Sequence, residues 1–304
     1  MISTTVQTIL EGFVPKQHIL LNEPMKKHTT FQVGGNADCL ILIQTEKELT
    51  QLIHYLNQIE IPYFILGNGS NLLVSDDGFR GIVLKTKGCF STIQVQGTKL
   101  VAQAGALLSQ VAREACENGL TGLEFAAGIP GTVGGAVVMN AGAYDGEMAQ
   151  VVSEVRVSDR TGEILTMDND SMEFGYRKSA ISKQPFVVTH VTFTLQPGDK
   201  TQIKARMEEL ADARRQKQPL EFPSAGSTFK RPEGHFAGKL IMDAGYRGYT
   251  LGGAQVSEKH CGFIINRNQA SAQDIAELMQ EVSEGVYEKF GVQLEPEVIK
   301  IGRF

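Results

Sequence analysis

The sequence predicts an α+β fold of three consecutive lobes, at residues 1–85, 86–200 and 201–304. Three observations support this prediction. Strand and helix patterns alternate in the first lobe, paired strand patterns fill most of the second, and an amphipathic helix followed by a strand closes the third. The length of 304 residues is sufficient for two or three domains of ordinary size.

The first lobe is predicted to contain a strand, a helix and two further strands. A strand is predicted at residues 37–43, and Thr45 to Glu48 form a capping box before apolar residues at helical spacing. Further strands are predicted at 63–66 and 81–85. A glycine-rich loop follows residue 66 directly, at the carboxyl end of a strand, where folds of this kind bind ligands.

The second lobe begins with a predicted hairpin. Alternating runs between residues 91 and 104 flank the turn dipeptide Gly97-Thr98, and a helix is predicted at 109–116. Paired strands at 154–159 and 163–167 and a longer strand at 186–195 follow a glycine-rich region. The pattern is typical of an antiparallel sheet.

The third lobe begins after a domain boundary that we place near residue 200. A helix is predicted from about residue 201 to 216. A second capping box, from Ser271 to Asp274, precedes apolar residues at helical spacing, and a final strand is predicted at 298–301.

Composition and charge exclude several classes of partner. Hydrophobic residues make up 42% and charged residues 21% of the chain, which is typical of a soluble globular enzyme. The net charge is −5 with scattered lysines and arginines, so neither nucleic-acid nor membrane binding is expected. No targeting segment or apolar run of membrane-spanning length occurs, and a cytoplasmic location is expected. The four cysteines lack metal-ligand spacing and are expected to be reduced, with no metal bound.

Three glycine-rich clusters carry the strongest functional signal, at residues 33–36, 67–71 and 128–135. Glycine allows successive backbone amides to turn toward one anion and has no side chain to hold a pyrophosphate away. None of the clusters ends as a P-loop, and none is a GxGxxG motif that opens a helix after a first strand. ATP hydrolysis and a Rossmann site are therefore disfavoured, while any single cluster could be only a tight turn.

Six ordered motifs resemble the bacterial UDP-N-acetylenolpyruvoylglucosamine reductases, flavoenzymes of cell-wall precursor synthesis. The resemblance covers nearly the whole chain and rests on residues 28–35, 66–73, 128–135 with 140–144, 176–179, 225–230 and 294–298. It implies a two-lobed FAD-binding region of the vanillyl-alcohol-oxidase/PCMH type, followed by a C-terminal α/β substrate domain.

The resemblance also implies a reaction and its cofactor. NADPH would reduce non-covalently bound FAD, which would then reduce the enolpyruvyl group of a UDP-sugar to give UDP-N-acetylmuramate. The implied catalytic residues are Ser227 as the proton donor, with Arg177 and Glu297 supporting the enol-like intermediate. The implied cofactor-binding residues are Val33, Gly34, Gly35, Gly67, Asn68, Gly69, Ser70, Asn71, Leu72, Gly128, Ile129, Pro130, Gly131, Thr132, Gly134, Gly135, Asn140, Ala141 and Gly142.

The substrate-side candidates are mostly cations and aromatic residues, and a structural role is the alternative for each of them. They are Tyr176, Arg214, Lys217, Lys230, Tyr246, Lys259 and Asn266. Arg214 and Lys217 resemble residues that bind the UDP phosphates. Without the resemblance, Ser227 would be interpreted as a turn residue and Arg177 as a surface residue. Glu295 would share a strand face with Glu297.

The spacing between two motifs indicates the short form of this family. Ser227 follows Arg177 by only 50 positions, whereas the long form carries an inserted loop that folds a tyrosine over the substrate. Two alternatives stay open. An FAD-linked oxidase would show oxygen-dependent turnover, and a flavin-binding protein without catalysis would hold FAD without consuming NADPH. No oligomeric state is predicted.

Overall fold

The computed structural model describes residues 2–304, which form two compact units. Unit 1 contains the chain up to Leu21 together with Cys39–Asn68 and Gly81–Arg214, and unit 2 contains Asn22–Asp38, Gly69–Arg80 and Arg215–Phe304. Each unit is therefore assembled from three separate stretches of sequence. The lobe boundaries at residues 85 and 200 stay predictions.

The helices and strands are numbered in chain order. The helices are α1 (Thr4–Leu10), α2 (Glu46–Gln58), α3 (Leu108–Glu117), α4 (Val133–Val138), α5 (Lys200–Lys217), α6 (Ala237–Asp243) and α7 (Ala272–Phe290). The strands are β1 (Ile19–Pro24), β2 (Asn36–Leu42), β3 (Tyr63–Leu66), β4 (Leu72–Val74), β5 (Phe79–Lys85), β6 (Ile93–Gln96), β7 (Lys99–Gln103), β8 (Leu120–Thr121), β9 (Gly142–Ala143), β10 (Gly146–Glu147), β11 (Val152–Ser158), β12 (Ile164–Asp168), β13 (Val187–Thr194), β14 (Gln196–Pro197), β15 (Thr250–Leu251), β16 (Ala254–Val256), β17 (Ile264–Asn266) and β18 (Ile299–Ile301).

Helix α2 confirms the first capping-box prediction. The Thr45 hydroxyl accepts a hydrogen bond from the Glu48 N–H at 3.1 Å, and the Glu48 carboxylate accepts one from the Thr45 N–H. The predicted apolar face of the helix is fully buried in the unit 1 core. The neighbouring four-stranded sheet has the order β1-β2-β5-β3, with β3 parallel to β5, so the loop after Leu66 leaves the carboxyl end of a strand.

The second sheet of unit 1 has five strands in the order β12-β11-β13-β7-β6, and each described neighbouring pair is antiparallel. Val95 faces Leu100 across the β6–β7 hairpin, which turns at Gly97-Thr98 as predicted. The paired strands β11 and β12 and the long strand β13 are also confirmed. From Thr189 to Phe193 alternate residues of β13 are buried, because one face of this sheet supplies much of the unit 1 core.

Helix α4 is an element that the sequence pattern does not predict. It begins after Thr132, inside the third glycine cluster, where glycine lowers helix propensity. Gly134 is buried, and a Cβ atom there would lie 2.9 Å from the Ala104 Cβ atom. Close packing of the helix against Ala104 therefore outweighs the low helix propensity of the segment.

Unit 2 combines the last ninety residues with two earlier segments. Strand β4 pairs with β18 in parallel, and β15, β16 and β17 form an antiparallel sheet. Helices α6 and α7 pack with these strands around a second hydrophobic core. The apolar residues predicted for the last helix are buried in that core: Ile275, Leu278, Met279, Val282 and Val286.

The N-terminus of α7 is held by more acceptors than the predicted capping box supplies. The Ser271 hydroxyl accepts from the Asp274 N–H at 2.9 Å, as predicted. In addition, the Asp76 carboxylate accepts from the N–H groups of Ala272 and Gln273 at 2.9 and 3.0 Å. A carboxylate at a helix N-terminus stabilises both the unpaired N–H groups and the helix dipole.

We expect Asp76→Ala to destabilise the protein by about 1 kcal/mol, because two first-turn N–H groups of α7 lose their acceptor. Urea unfolding measures the change, with Asp77→Ala as the matched control one residue along the same exposed loop. Equal stability of the two variants would show that the Asp76 bonds contribute nothing net.

The remaining features concern membranes, metals and thiols. Among residues 2–304, no helix combines the length and apolar character that crossing a bilayer demands. Within the same residues there is no group of three or more His, Cys, Asp or Glu side chains placed to hold a metal ion. Cys39, Cys116 and Cys261 are buried free thiols, and Cys89 is partly exposed.

Candidate active site

Residues 67 and 68, which begin the second glycine cluster, lie beside the cluster at 128–135 in unit 1. The side-chain amide of Asn68 donates a hydrogen bond to the Pro130 carbonyl oxygen, across 62 positions of sequence. A Cβ atom added to Gly67 would overlap the Thr132 hydroxyl oxygen, so only glycine fits there. The loop after β3 and the loop before α4 therefore form one continuous surface.

This surface fits a phosphate group of a dinucleotide. The N–H groups of Val133 and Gly134 donate to backbone carbonyls, but the Thr132 side chain does not cap the helix. The N–H group of Gly135, in the first turn of α4, thus has no partner within the helix. Gly135 is exposed, and only the Thr132 hydroxyl, at 3.8 Å, approaches the position of a Cβ atom there. An N–H donor that faces open space suits a phosphate oxygen.

The glycine cluster at residues 33–36 lies in unit 2, where its glycines are needed for close backbone packing. A Cβ atom on Gly34 would lie 2.7 Å from the Val74 Cβ atom, and Gly34 has a φ of 109°, which favours glycine. The Gly35 N–H donates to the Ser75 carbonyl at 2.9 Å, and the Thr30 N–H donates to the Gly69 carbonyl at 3.1 Å. The segment from Val33 to Gly35 is therefore packed against the loop around β4.

Arg214 lies beside the glycine cluster at residues 128–135, in unit 1. Its Cδ and Nη1 atoms are each 3.2 Å from the position that a Cβ atom would take on Gly128. Burial lowers the pKa of the Arg214 guanidinium, and the neighbouring Tyr144 hydroxyl acts in the opposite direction. The guanidinium still carries its charge at neutral pH. A partly desolvated cation next to a glycine loop attracts anions strongly.

Arg177 is the second central residue of a tight turn in unit 1. Gly175 and Lys178 exchange two backbone hydrogen bonds, of 3.0 and 3.2 Å, around Tyr176 and Arg177. Arg177 has a φ of 53°, which is uncommon for a residue other than glycine. Its guanidinium lies 5.1 Å from the centroid of the exposed Tyr176 ring and donates to the Gly142 carbonyl at 3.4 Å. The turn thus holds a cation against the predicted cofactor segment.

Ser227 and Glu297 lie on two paired segments of unit 2. The Glu297 N–H donates to the Thr228 carbonyl at 2.9 Å, and Phe229 and Pro296 form an antiparallel bridge. Ser227 is exposed, Thr228 is buried and Glu297 is partly buried. The pairing brings the predicted proton donor and the predicted carboxylate into one small region of the unit.

Thr228 holds this region to its surroundings. Its N–H donates to the Gly262 carbonyl at 2.8 Å, and its hydroxyl oxygen accepts from the Ile264 N–H at 2.9 Å. On the other segment, the Asn71 side-chain amide donates to the Glu297 carbonyl at 3.0 Å. Asn71, predicted to bind the cofactor, therefore also fixes the backbone of Glu297.

We expect Thr228→Val to lower the free energy of unfolding by about 1 to 3 kcal/mol, since the buried Ile264 N–H loses its acceptor. Thr228→Ser keeps the hydroxyl and should lose less. Thr166→Val, on the exposed side of β12, is the matched control and should change stability by less than about 0.5 kcal/mol. Chemical denaturation of the four proteins checks the order, and a valine variant as stable as the serine variant would contradict it.

Two of the predicted substrate residues make structural hydrogen bonds in unit 2. The Asn266 amide donates to the Phe31 carbonyl at 3.1 Å and accepts from the Ala270 N–H at 2.8 Å. The Tyr246 hydroxyl donates to the Glu281 carbonyl at 3.1 Å, and burial together with nearby carboxylates raises its pKa. Substrate contacts at both positions stay predictions.

The predicted substrate lysines differ in their surroundings. Lys230 forms an ion pair with Glu295, on the segment that carries Glu297. The Lys259 ammonium donates to the Arg215 carbonyl at 2.8 Å, and Lys217 is exposed at the end of α5.

Burial raises the pKa of the Cys261 thiol, so this buried cysteine is neutral at pH 7.

Comparison with known proteins identifies the family. A family model described as an FAD binding domain matches residues 37–168, and one described as the C-terminal domain of UDP-N-acetylenolpyruvoylglucosamine reductase matches residues 218–301. The UDP-N-acetylenolpyruvoylglucosamine reductase of Caldanaerobacter subterraneus subsp. tengcongensis is 51% identical over 293 residues, which are 96% of this chain and 97% of the relative. The chain belongs to the UDP-N-acetylenolpyruvoylglucosamine reductase family. The relative of the same name from Clostridioides difficile is 50% identical and is covered to 96%.

Solved structures agree with this family assignment. UDP-N-acetylenolpyruvylglucosamine reductase from Thermus caldophilus matches with a TM-score of 0.80 and 39% identity, over 93% of this chain and 98% of that one. An alkyldihydroxyacetonephosphate synthase shares the fold over 65% of this chain, with a TM-score of 0.51 and 13% identity. The predicted α+β class, an FAD-binding region followed by the C-terminal domain of this family, is confirmed.

Sequence reasoning missed Thr228 as a residue of the site in this family member. The resemblance indicated Ser227 and Glu297 as catalytic residues. Thr228 connects the segments that carry them but has no proposed role in the reaction. No local pattern marks Thr228, because Ser227 is exposed while Thr228 and Phe229 are both buried, which is not the alternation of a strand.

Proposed function

We propose that the chain reduces UDP-N-acetylglucosamine enolpyruvate to UDP-N-acetylmuramate, using NADPH and non-covalently bound FAD, in peptidoglycan precursor synthesis. The observation that carries this proposal is the pairing of the Ser227 and Glu297 segments, with 2.9 Å between the Glu297 nitrogen and the Thr228 oxygen, in a chain of this family. A hydroxyl as proton donor, assisted by a carboxylate, suits protonation of a carbon atom next to a carboxylate-stabilised anion.

FAD, when bound, supplies hydride transfer from NADPH to the β carbon of the enolpyruvyl ether. The residues of this chain then have two tasks. Negative charge develops on the substrate carboxylate and α carbon, and the Arg177 guanidinium stabilises it electrostatically. The α carbon must receive a proton, which the Ser227 hydroxyl donates, with Glu297 assisting that transfer.

The glycine loops would hold the cofactor. We assign the phosphates to the surface formed by Gly67, Asn68 and the segment from Gly128 to Gly135, where the first-turn N–H group of Gly135 borders open space. The loops 33–35 and 69–72 and residues 141 and 142 are also proposed to contact FAD. No side chain of this chain needs to bond covalently to the flavin.

The substrate candidates are proposed to bind the UDP moiety and the sugar. Arg214 and Lys217 would bind the two phosphates, while Tyr176, Lys230, Tyr246, Lys259 and Asn266 would contact the rest of the substrate. All of the reactants are small and polar, which agrees with a proposed cytoplasmic location.

The test follows the visible flavin absorbance of the purified protein under anaerobic conditions. One equivalent of NADPH should bleach the flavin band, and UDP-N-acetylglucosamine enolpyruvate should restore it. Bleaching without restoration would assign the chain to another flavoenzyme reaction, and restoration by oxygen alone would favour an oxidase. Absence of a flavin band after incubation with FAD would overturn the proposal.

A further inference from the structure

The Asn140 side chain joins the segment after α4 to the turn that carries Arg177. Its amide nitrogen donates to the Gly175 carbonyl at 3.1 Å, and its amide oxygen accepts from the Ala149 N–H at 2.9 Å. Asn140 is 1% exposed and has a φ of 41°, a backbone conformation that asparagine tolerates better than most residues. Both ends of its amide are therefore occupied within the protein.

A second bond fixes the other side of the same turn. The Ser179 hydroxyl, which is also buried, donates to the Val138 carbonyl at 2.9 Å. The left-handed backbone at Arg177 costs free energy and persists only when its surroundings determine it. The bonds from Asn140 and Ser179 place the two ends of the turn on one short stretch, residues 138–140.

We propose that Asn140 is a positioning residue for Arg177 rather than a ligand of the cofactor. This inference rests on the proposed function, in which Arg177 stabilises the substrate anion. The Asn140 amide bonds to the Gly175 carbonyl and so fixes the start of the turn that carries Arg177. A displacement of about 1 Å at the guanidinium is enough to reduce a rate by about 10²-fold.

The first test compares Asn140→Asp with the wild-type holoenzyme. Aspartate keeps the acceptor for the Ala149 N–H but replaces the donor that faces the Gly175 carbonyl. We expect substrate to reoxidise the reduced flavin roughly 10- to 100-fold more slowly. FAD content should stay unchanged, and flavin reduction by NADPH should stay within about twofold. Asn118→Asp, the same change at an exposed helix end, is the matched control and should match the wild type in all three readouts.

A double-mutant cycle separates positioning from general structural damage. If Asn140 acts through Arg177, then Asn140→Asp should slow reoxidation no further in an Arg177→Ala background. Multiplicative losses in the double variant would overturn the inference. So would loss of FAD from Asn140→Asp with normal reoxidation in the FAD-loaded fraction, because that result makes Asn140 a cofactor ligand.

Two further outcomes keep the test decisive. If Asn140→Asp does not fold, Ser179→Ala removes the bond to the Val138 carbonyl and is measured with the same readouts and the same cycle. If wild-type flavin is not reoxidised by the substrate, the proposed function fails. If the wild type is reoxidised and Asn140→Asp behaves identically, only the positioning role fails.

Discussion

Ser227→Ala should leave flavin reduction by NADPH intact and slow reoxidation by the enolpyruvyl substrate by roughly 10² to 10⁴-fold, the usual contribution of a positioned general acid. The hydroxyl is needed only when the α carbon is protonated, so the first half-reaction does not depend on it. Ser227 is exposed at the end of a paired segment, and removal of its hydroxyl breaks no hydrogen bond of the core. Stopped-flow absorbance of each half-reaction measures the two rates separately.

The matched control for this experiment is Ser224→Ala. Ser224 lies three positions earlier in the same loop, and only its backbone carbonyl is used, as the acceptor for the Thr30 hydroxyl at 2.6 Å. Both half-reactions of this control should proceed at wild-type rates. Equal slowing of both half-reactions in Ser227→Ala would remove Ser227 from the proton-transfer step and assign it a role in binding or folding.

Arg177→Ala should lower the rate of reoxidation by roughly 10² to 10³-fold, which is typical when one donor to a developing anion is removed. The FAD content should change little, because the guanidinium contacts the cofactor segment through a neutral group, the Gly142 carbonyl at 3.4 Å. Arg177→Lys should recover only part of the rate, since a lysine ammonium lacks the planar fork of the guanidinium. Flavin absorbance per mole of protein gives the FAD content, and single-turnover kinetics give the rate of flavin reoxidation.

Arg160→Ala provides the control for loss of an arginine side chain in unit 1. Arg160 is exposed in the β11–β12 turn, and its backbone carbonyl makes the bond to Asn57. If Arg177→Ala instead purifies without FAD but reoxidises normally once loaded, Arg177 belongs to cofactor binding. That outcome would also remove the basis for the positioning role of Asn140.

Local sequence patterns predicted the regular elements because their determinants lie within a few residues of each other. The capping boxes at Thr45 and Ser271 are each complete within four residues, and both helices begin where predicted. Helix α4 was missed for the opposite reason. Packing of Gly134 against Ala104, thirty positions earlier, stabilises a helix in a segment of low propensity.

The same distinction applies to the site. The glycine clusters predicted an anion-binding surface, but the pairing of the Asn68 amide with the Pro130 carbonyl joins loops that no local pattern connects. The bond from Glu297 to Thr228 joins residues 69 positions apart. Residue types and motifs therefore indicated the chemistry, whereas the residues that orient the catalytic groups could be identified only from tertiary contacts.

The glycines themselves illustrate why function cannot be inferred from residue type alone. Gly135 borders open space, as a phosphate-binding glycine should, whereas a Cβ atom on Gly34 would meet the Val74 side chain. The fold thus excludes a side chain at Gly34, whereas at Gly135 it leaves space that the proposed phosphate would occupy. A substitution at Gly34 should therefore affect stability before it affects the affinity for FAD.

The parallel pairing of β4 with β18 has a consequence for biosynthesis. Leu72 is paired with Ile299. The ribosome therefore has to add 227 residues after Leu72 before the partner strand of β4 has been synthesised. At a translation rate of about 5 to 20 residues per second, this delay is about 10 to 45 s. During that time the nascent chain exposes a short apolar strand edge that could pair with another chain. All residues of unit 1 have been synthesised once the chain reaches residue 214, whereas unit 2 needs the rest of the chain. The two units are therefore expected to fold at different times during translation.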